Sequence, residues 1–392
     1  MRFALAGVAA GFIFLIAQPA HAAGFEYSGW IPYWRVATGT LDVAPHLSQL
    51  TTINPFSYEV TADGTIVDRA NMDNISAQAF LAQAKAANVR VVPSILWTDG
   101  VAMQKILSNQ TTRIALEDAI ANLVKEKGYD GIDIDFEAKL AETRNYFSTF
   151  LRGLYSRMGP KWVYCAIEPR TPISSLYLGT PPKGAGIYAN DYVEINKYSD
   201  RVEIMAYDQG GADAVLNKAR TAPYIPLSDP GWVAKVVQET LKTIPARKIV
   251  LGIPTYGYEY AVTPAEQGYK YDLQWAFNPR YGVDLAGQLG IPPARTSSGE
   301  LSLIYKPAST TPAAVSTSVD TNTGGAAFAP AVTLYAPATI AAQVAPPFNI
   351  LWWSDAQAVS DKVALAKKMG LKGVAIFKFD GGEDQNIWSV LK

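Results

Sequence analysis

The nine residues Tyr129-Asp130-Gly131-Ile132-Asp133-Ile134-Asp135-Phe136-Glu137 carry four acids, three of them at every second position. Successive side chains of a strand point to opposite faces, so Asp133, Asp135 and Glu137 share one face and Ile132, Ile134 and Phe136 the other. The apolar face seeks cover from helices, which turns the acids toward the inside of a sheet or barrel. There they stand about 7 Å apart from one to the next. Like charges in a partly dry interior do not all ionise cheaply, so at least one carboxyl keeps or shares a proton near neutral pH and is fit to be a general acid. A row of acids can also bind calcium or magnesium, but this stretch lacks the oxygen-rich, glycine-turned loop such cations use, and no metal is expected. A second stretch, Met205-Ala206-Tyr207-Asp208, places Met205 and Tyr207 at one parity, both inward, with Asp208 at the strand's end.

Holding these groups together calls for a parallel sheet. Short runs rich in Val, Ile and Tyr alternate with segments of helical period, the pattern of βα units. Eight strands are expected at 28–34, 50–58, 90–96, 131–136, 162–167, 201–207, 248–255 and 373–379. The helix over 112–127 sets Leu116, Ala119, Ile120, Leu123 and Val124 on one stripe and stops at Gly128. A second carries Phe147, Phe150, Leu151 and Leu154, and a third, capped by Ser354, carries Val359, Val363 and Ala366. The fold class expected is α/β, a (β/α)8 TIM barrel with an insertion between strands 7 and 8, at about 260–350. Within the insertion, 271–281 is helix-like and 295–306 a possible hairpin. The stretch 308–347, rich in Ala, Thr, Ser and Pro, is either a loose loop or a segment packed on the barrel mouth or a partner.

Composition removes several chemistries. The chain has 392 residues, 49% hydrophobic and 18% charged, with 34 Lys and Arg against 35 Asp and Glu, so nucleic acid is not an expected partner. Two histidines and one cysteine exclude a His/Cys zinc site, a disulfide framework and a Cys-x-x-Cys pair. No Gly-x-Ser-x-Gly elbow accompanies His46, and Cys165 suits a buried strand. Carboxylates and tyrosines are left to do any chemistry. Residues 1–22 have the form of a secretory signal with a cleavage site after Ala22, so the mature protein, 23–392, is expected to be exported to a periplasm or beyond the cell. No second apolar run is long enough to span a bilayer, so no stable membrane anchor is expected; a monomer is expected as well.

The acidic strand resembles the Asp-x-x-Asp-x-Asp-x-Glu signature of glycoside hydrolase family 18, the chitinase-like TIM barrels, with Asp130, Asp133, Asp135 and Glu137 in the defining places. Met205-Ala206-Tyr207-Asp208 is similar to the family's sixth-strand Met-x-Tyr-Asp, 251–257 to its seventh strand and 371–380 to its eighth. The resemblance implies a retaining, substrate-assisted hydrolysis without a cofactor. Glu137 would be the acid and base, Asp135 would orient the substrate's acetamido group, Asp133 would share its proton, and Tyr207 would hydrogen bond the acetamido oxygen. The implied partner is an N-acetylglucosamine polysaccharide, chitin or peptidoglycan, and the insertion followed by Trp352-Trp353-Ser354-Asp355-Ala356 is more similar to cell-wall and spore-cortex members than to long-cleft chitinases. The competing class is a catalytically silent chitinase-like lectin, which usually loses one of the acids.

Aromatic rings offer platforms to the flat faces of sugars. Tyr33, Phe56, Trp97 and Tyr256 are expected to do so along with Trp30, Trp34 and Tyr58, and Met205 and Asp208 to line the same cleft. On the eighth strand the family's usual tryptophan floor is replaced by Phe377, a flat surface of smaller area without the indole N–H.

Overall fold

A computed structural model describes residues 24–266, 268–307 and 347–392. The expected signal segment and 308–346 lie outside these residues. Seven parallel strands come first: β1 (Glu26–Pro32), β2 (Thr52–Val60), β3 (Ser94–Trp97), β4 (Gly131–Phe136), β5 (Trp162–Ile167), β6 (Arg201–Ile204) and β7 (Ile249–Pro254). The insertion supplies β8 (Gly257–Ala265), β9 (Gly268–Phe277), β10 (Ala294–Arg295), β11 (Leu301–Tyr305) and β12 (Phe348–Trp353), and β13 (Gly373–Phe377) is the eighth barrel strand. Each barrel strand pairs in parallel with the next, β13 joins β7 to β1, and β1 pairs with β2. The ring is closed, the TIM barrel expected, and closure leaves no barrel edge to protect.

The acidic strand shows why the layers form. Ile132, Ile134 and Phe136 are fully buried on the outer face, where the Phe136 ring stacks on Phe150 of the helix Arg144–Met158 at 5.2 Å. The preceding helix, Gln110–Lys127, starts on the Asn109 side chain, which accepts from the Thr111 and Thr112 amides, and ends at Gly128 with φ +65°, a left-handed turn that glycine adopts without strain. Leu116, Ile120 and Val124 of its expected stripe are buried, whereas Ala119 is exposed.

Three local expectations are corrected. The stretch 271–281 is not one helix: β9 pairs antiparallel with β8 as far as Phe277, and the helix Pro279–Leu289 begins after it. Its alternating aromatics face partners across a sheet, which tertiary pairing supplies and local spacing does not. Asp355, not Ser354, caps the helix Ala356–Lys368 by accepting from the Ala358 amide. Trp352 and Trp353 do not reach the cleft from a loop. They lie on β12, 1% and 0% exposed, inside the insertion's antiparallel sheet. The hairpin expected at 295–306 is present as β10 and β11.

Candidate active site

Asp133, Asp135 and Glu137 point into the barrel, as their parity requires. Asp133 is fully buried at the level where β4 pairs with Ser94 of β3. Its Oδ2 accepts from Ser94 Oγ at 2.6 Å and from Trp30 Nε1 at 3.1 Å. Glu203 of β6 lies beside it, also fully buried. With both groups ionised, Asp133 Oδ1 and both Glu203 oxygens would have no donor. One shared proton bridges the two carboxyls and satisfies two of these three oxygens; burial pushes Asp133 up against the hydrogen bonds it accepts, and burial with the charge of Asp133 pushes Glu203 well up. Sequence reasoning missed Glu203. The signal available was a lone acid two residues before Met205, at the inward parity of Met205 and Tyr207.

Above this pair stand Asp135 and Glu137. Burial, then the charges of Glu137 and Asp133, push Asp135 well up, with Lys139 opposing. Glu137 is pushed up to about 7 by burial first and then by Glu168, against Lys139 and a hydrogen bond with Asp135. Asp135 and Glu137 therefore titrate as a unit that holds a proton near neutral pH. The fourth acid stays out of the site: Asp130 accepts from the Val91 amide at 2.8 Å and ties β4 to the chain before β3.

Met205 and Tyr207 lie past the end of β6, whose ladder stops at Ile204, and not within the strand as expected. The Ala206 amide turns back to the Ile204 carbonyl at 2.8 Å, and Asp208 has φ +57°. The Tyr207 ring stacks on Phe377 at 5.3 Å, nearly parallel, and meets Tyr256 edge-on. Gly252 of β7 leaves room for this ring, since a Cβ there would come within 2.9 Å of Tyr207 and 2.6 Å of the Ile204 carbonyl. Asp208 accepts from Tyr256 Oη at 2.5 Å and Tyr258 Oη at 2.9 Å, and burial pushes it up to about 6 against those bonds. Tyr256 is thus locked as a wall, with its hydroxyl committed to Asp208.

The aromatics divide into two sets. Phe377 touches Trp30, Phe56, Tyr207 and Tyr256, so it is the hub of the barrel floor. Tyr33 and Trp34 sit on a short 3-10 turn after β1, half-buried, with Tyr33 stacked on Phe56. Trp97 is corrected: it shares the parity of Phe136, its register partner, is 1% exposed, and packs between barrel and helices with no face toward the cleft. Tyr58 also faces outward, against Tyr129. His46 stacks on Trp388, and Cys165, beside Ile134 in the β4–β5 register, is buried in the apolar core. Among the described residues no group of His, Cys, Asp and Glu is arranged to hold a metal ion.

Comparison with known proteins gives this architecture a context. An uncharacterized glycosylase, YvbX, of Bacillus subtilis (strain 168) is 29% identical over 170 residues, 42% of this chain and 44% of that protein. Chitinase 1 of Aphanocladium album is 27% identical over 197 residues, 47% of this chain and 45% of that one. The chain spans about half the length of the curated relatives it matches. The crystal structure of the spore cortex-lytic enzyme SleL of Bacillus megaterium QM B1551 shares the fold with a TM-score of 0.68 at 20% identity, over 94% of this chain and 73% of that one. The family model described as glycosyl hydrolases family 18 matches residues 27–382, nearly the whole described chain, and the chain belongs to that family.

Proposed function

We propose that this chain is a glycosidase that cleaves β-1,4 linkages after N-acetylglucosamine in chitin-like polymers or peptidoglycan, with retention at the anomeric carbon. The observation that carries the reading is the row of buried Asp133 and Asp135 and half-buried Glu137, with Tyr207 beside it at one barrel mouth. Glu137 gives its proton to the glycosidic oxygen as the bond to the anomeric carbon breaks. The substrate's own acetamido oxygen attacks that carbon from the other face and forms an oxazolinium ion. Asp135 orients the acetamido group and carries the counter-charge, and the Tyr207 hydroxyl donates to its oxygen. Deprotonated Glu137 then takes a proton from water as the water opens the ring, which restores the acid and the β configuration. Asp133, charged or neutral according to the proton it shares with Glu203, sets how much negative charge Asp135 bears. Residues 1–22 direct the protein to a periplasm or beyond the cell, and it works as a monomer. Relatives named for chitin and for spore cortex support both polymers as substrates.

The test incubates the protein with chitin oligosaccharides and, separately, purified peptidoglycan, with products read by mass spectrometry and early-time NMR. Wild type and Glu137→Gln run side by side. Glu137-dependent products that appear first as the β anomer are expected. Equal binding of N-acetylglucosamine oligomers by both proteins without products would replace this reading with a lectin.

A further inference from the structure

The ends of β4 and β5 carry a charged pair that the steps above do not use. In the β4–β5 register Ile134 stands beside Cys165. Glu137 and Glu168 are each the first residue past these two paired strands, three residues beyond that pair, and the Glu168 charge acts on Glu137. Lys139 follows Glu137 by two residues and sets its ammonium over the Phe147 ring, 4.9 Å from the centroid. Its side chain is only 1% exposed, and its ammonium donates to the Phe136 carbonyl and stands 3.5 Å from Glu168 Oε2. Glu168, 38% exposed, accepts at the same Oε2 from Asn190 Nδ2 at 2.5 Å. Arg170 in turn donates to the Asn190 carbonyl at 2.8 Å and lies over the rings of Tyr188 and Tyr192.

A buried ammonium is costly to keep, and here it is paired next to the acid of the reaction. The groups facing Glu137 are Asp135 on its own strand, Lys139 just beyond it, Glu168 from β5, and Tyr207 and Asp208 from beyond β6. Lys139 is the cation of this set, and Glu168 and Lys139 act on Glu137 with opposite signs.

We propose that Lys139 and Glu168 are positioning residues for Glu137, an ion pair built across the ends of β4 and β5 that fixes the field in which the acid works. Neither touches the scissile bond. The inference rests on the reading of Glu137 as the acid. In that reading the alkaline limb of kcat/KM against pH reports the loss of the Glu137 proton. Removing the Glu168 charge lowers the affinity of Glu137 for its proton, and removing the Lys139 charge raises it.

The experiment records that profile on an umbelliferyl glycoside of N,N′-diacetylchitobiose. It compares wild type, Glu168→Gln, Lys139→Met, their combination, and the charge-conserving Glu168→Asp and Lys139→Arg. The alkaline limb is expected to move about 0.5–1 pH unit downward in Glu168→Gln and upward by a similar amount in Lys139→Met. It should return near wild type in the double variant and stay there in the charge-conserving pair. Limbs that do not move in opposite directions in folded proteins, or losses of rate alike in the charge-removing and charge-conserving variants, overturn the proposal and assign the pair to packing. A Glu137→Gln control that still turns over overturns the reading of Glu137 itself, so the two failures are told apart.

Discussion

The barrel buries carboxylates at both of its ends and treats them in opposite ways. At the end where strands begin, Glu26 of β1 is clamped by Arg201 through two bonds of 2.7 Å, by Arg90 at 3.1 Å and by Lys372 at 3.6 Å. Both arginines lie over the Trp162 ring. Burial alone would push Glu26 up, but the bonds and charges of Arg201 and Arg90 outweigh it and hold the carboxyl below its usual value. From the middle of the barrel to the end where strands finish, Asp133, Glu203, Asp135 and Glu137 crowd together with Lys139 as the nearby cation, and every one is pushed up. Glu26 has cations in excess of its charge and serves to close the barrel. The opposite end has more acids than cations, so protons replace cations there, and a held proton is what a general acid needs.

The sharpest way to break this contrast is at Glu137. Glu137→Gln keeps shape and loses the transferable proton, so turnover should fall about 10³-fold or more with N-acetylglucosamine oligomer binding retained, as steady-state kinetics and calorimetry would show. Under the proposed mechanism Asp135→Asn should cost about 10²-fold in kcat, because the amide cannot carry the charge that this mechanism sets against an oxazolinium ion. A kcat within a few-fold of wild type in either variant would mean that the crowded acids are structural, like Glu26.

The sequence displayed this division unevenly. The bounds of β4 and β5 were legible to the residue, because an apolar face of Ile132, Ile134 and Phe136 fixes the strand and its parity together. Trp97 misled because an aromatic near a strand's end suits either face, and only its pairing with Phe136 settles the parity. The insertion was hard to read for a related reason: β9 takes its form from β8, its neighbour in space. Glu203, Lys139 and Glu168 stayed hidden because each meets its partner across strands. The distance from Glu203 to Asp133 is small in space and 70 residues along the chain, and no local spacing encodes it.

The basic end offers a smaller effect of a different kind. Arg201→Met removes two charge-assisted bonds from a buried carboxylate and leaves Arg90 and Lys372 to hold it, a loss of about 2 kcal/mol in unfolding free energy at neutral pH. Because Glu26 sits below its ordinary value, its contribution is fully present above about pH 4.5 and is lost as pH falls through the native value, so the variant and wild type should converge in acid. Denaturant titrations across pH would show this, with kcat unchanged. A fall in kcat without a fall in stability would mean that the two ends are coupled and the contrast drawn between them is wrong.

The smallest effect is the most specific. Glu203 holds a carboxyl well above its unfolded value, so the native state loses stability as pH rises from about 4.5 through the native value, the reverse of Glu26. Glu203→Gln keeps the size and a donor toward Asp133 but cannot ionise. It should match wild type within about 1 kcal/mol in acid and then gain on it as pH rises, with the difference measured by denaturant unfolding at several pH values. A difference that stays flat with pH would mean that Glu203 holds no proton in the native barrel. Asp133 would then need another donor for its second oxygen, and the charge on Asp135 would no longer be set from below.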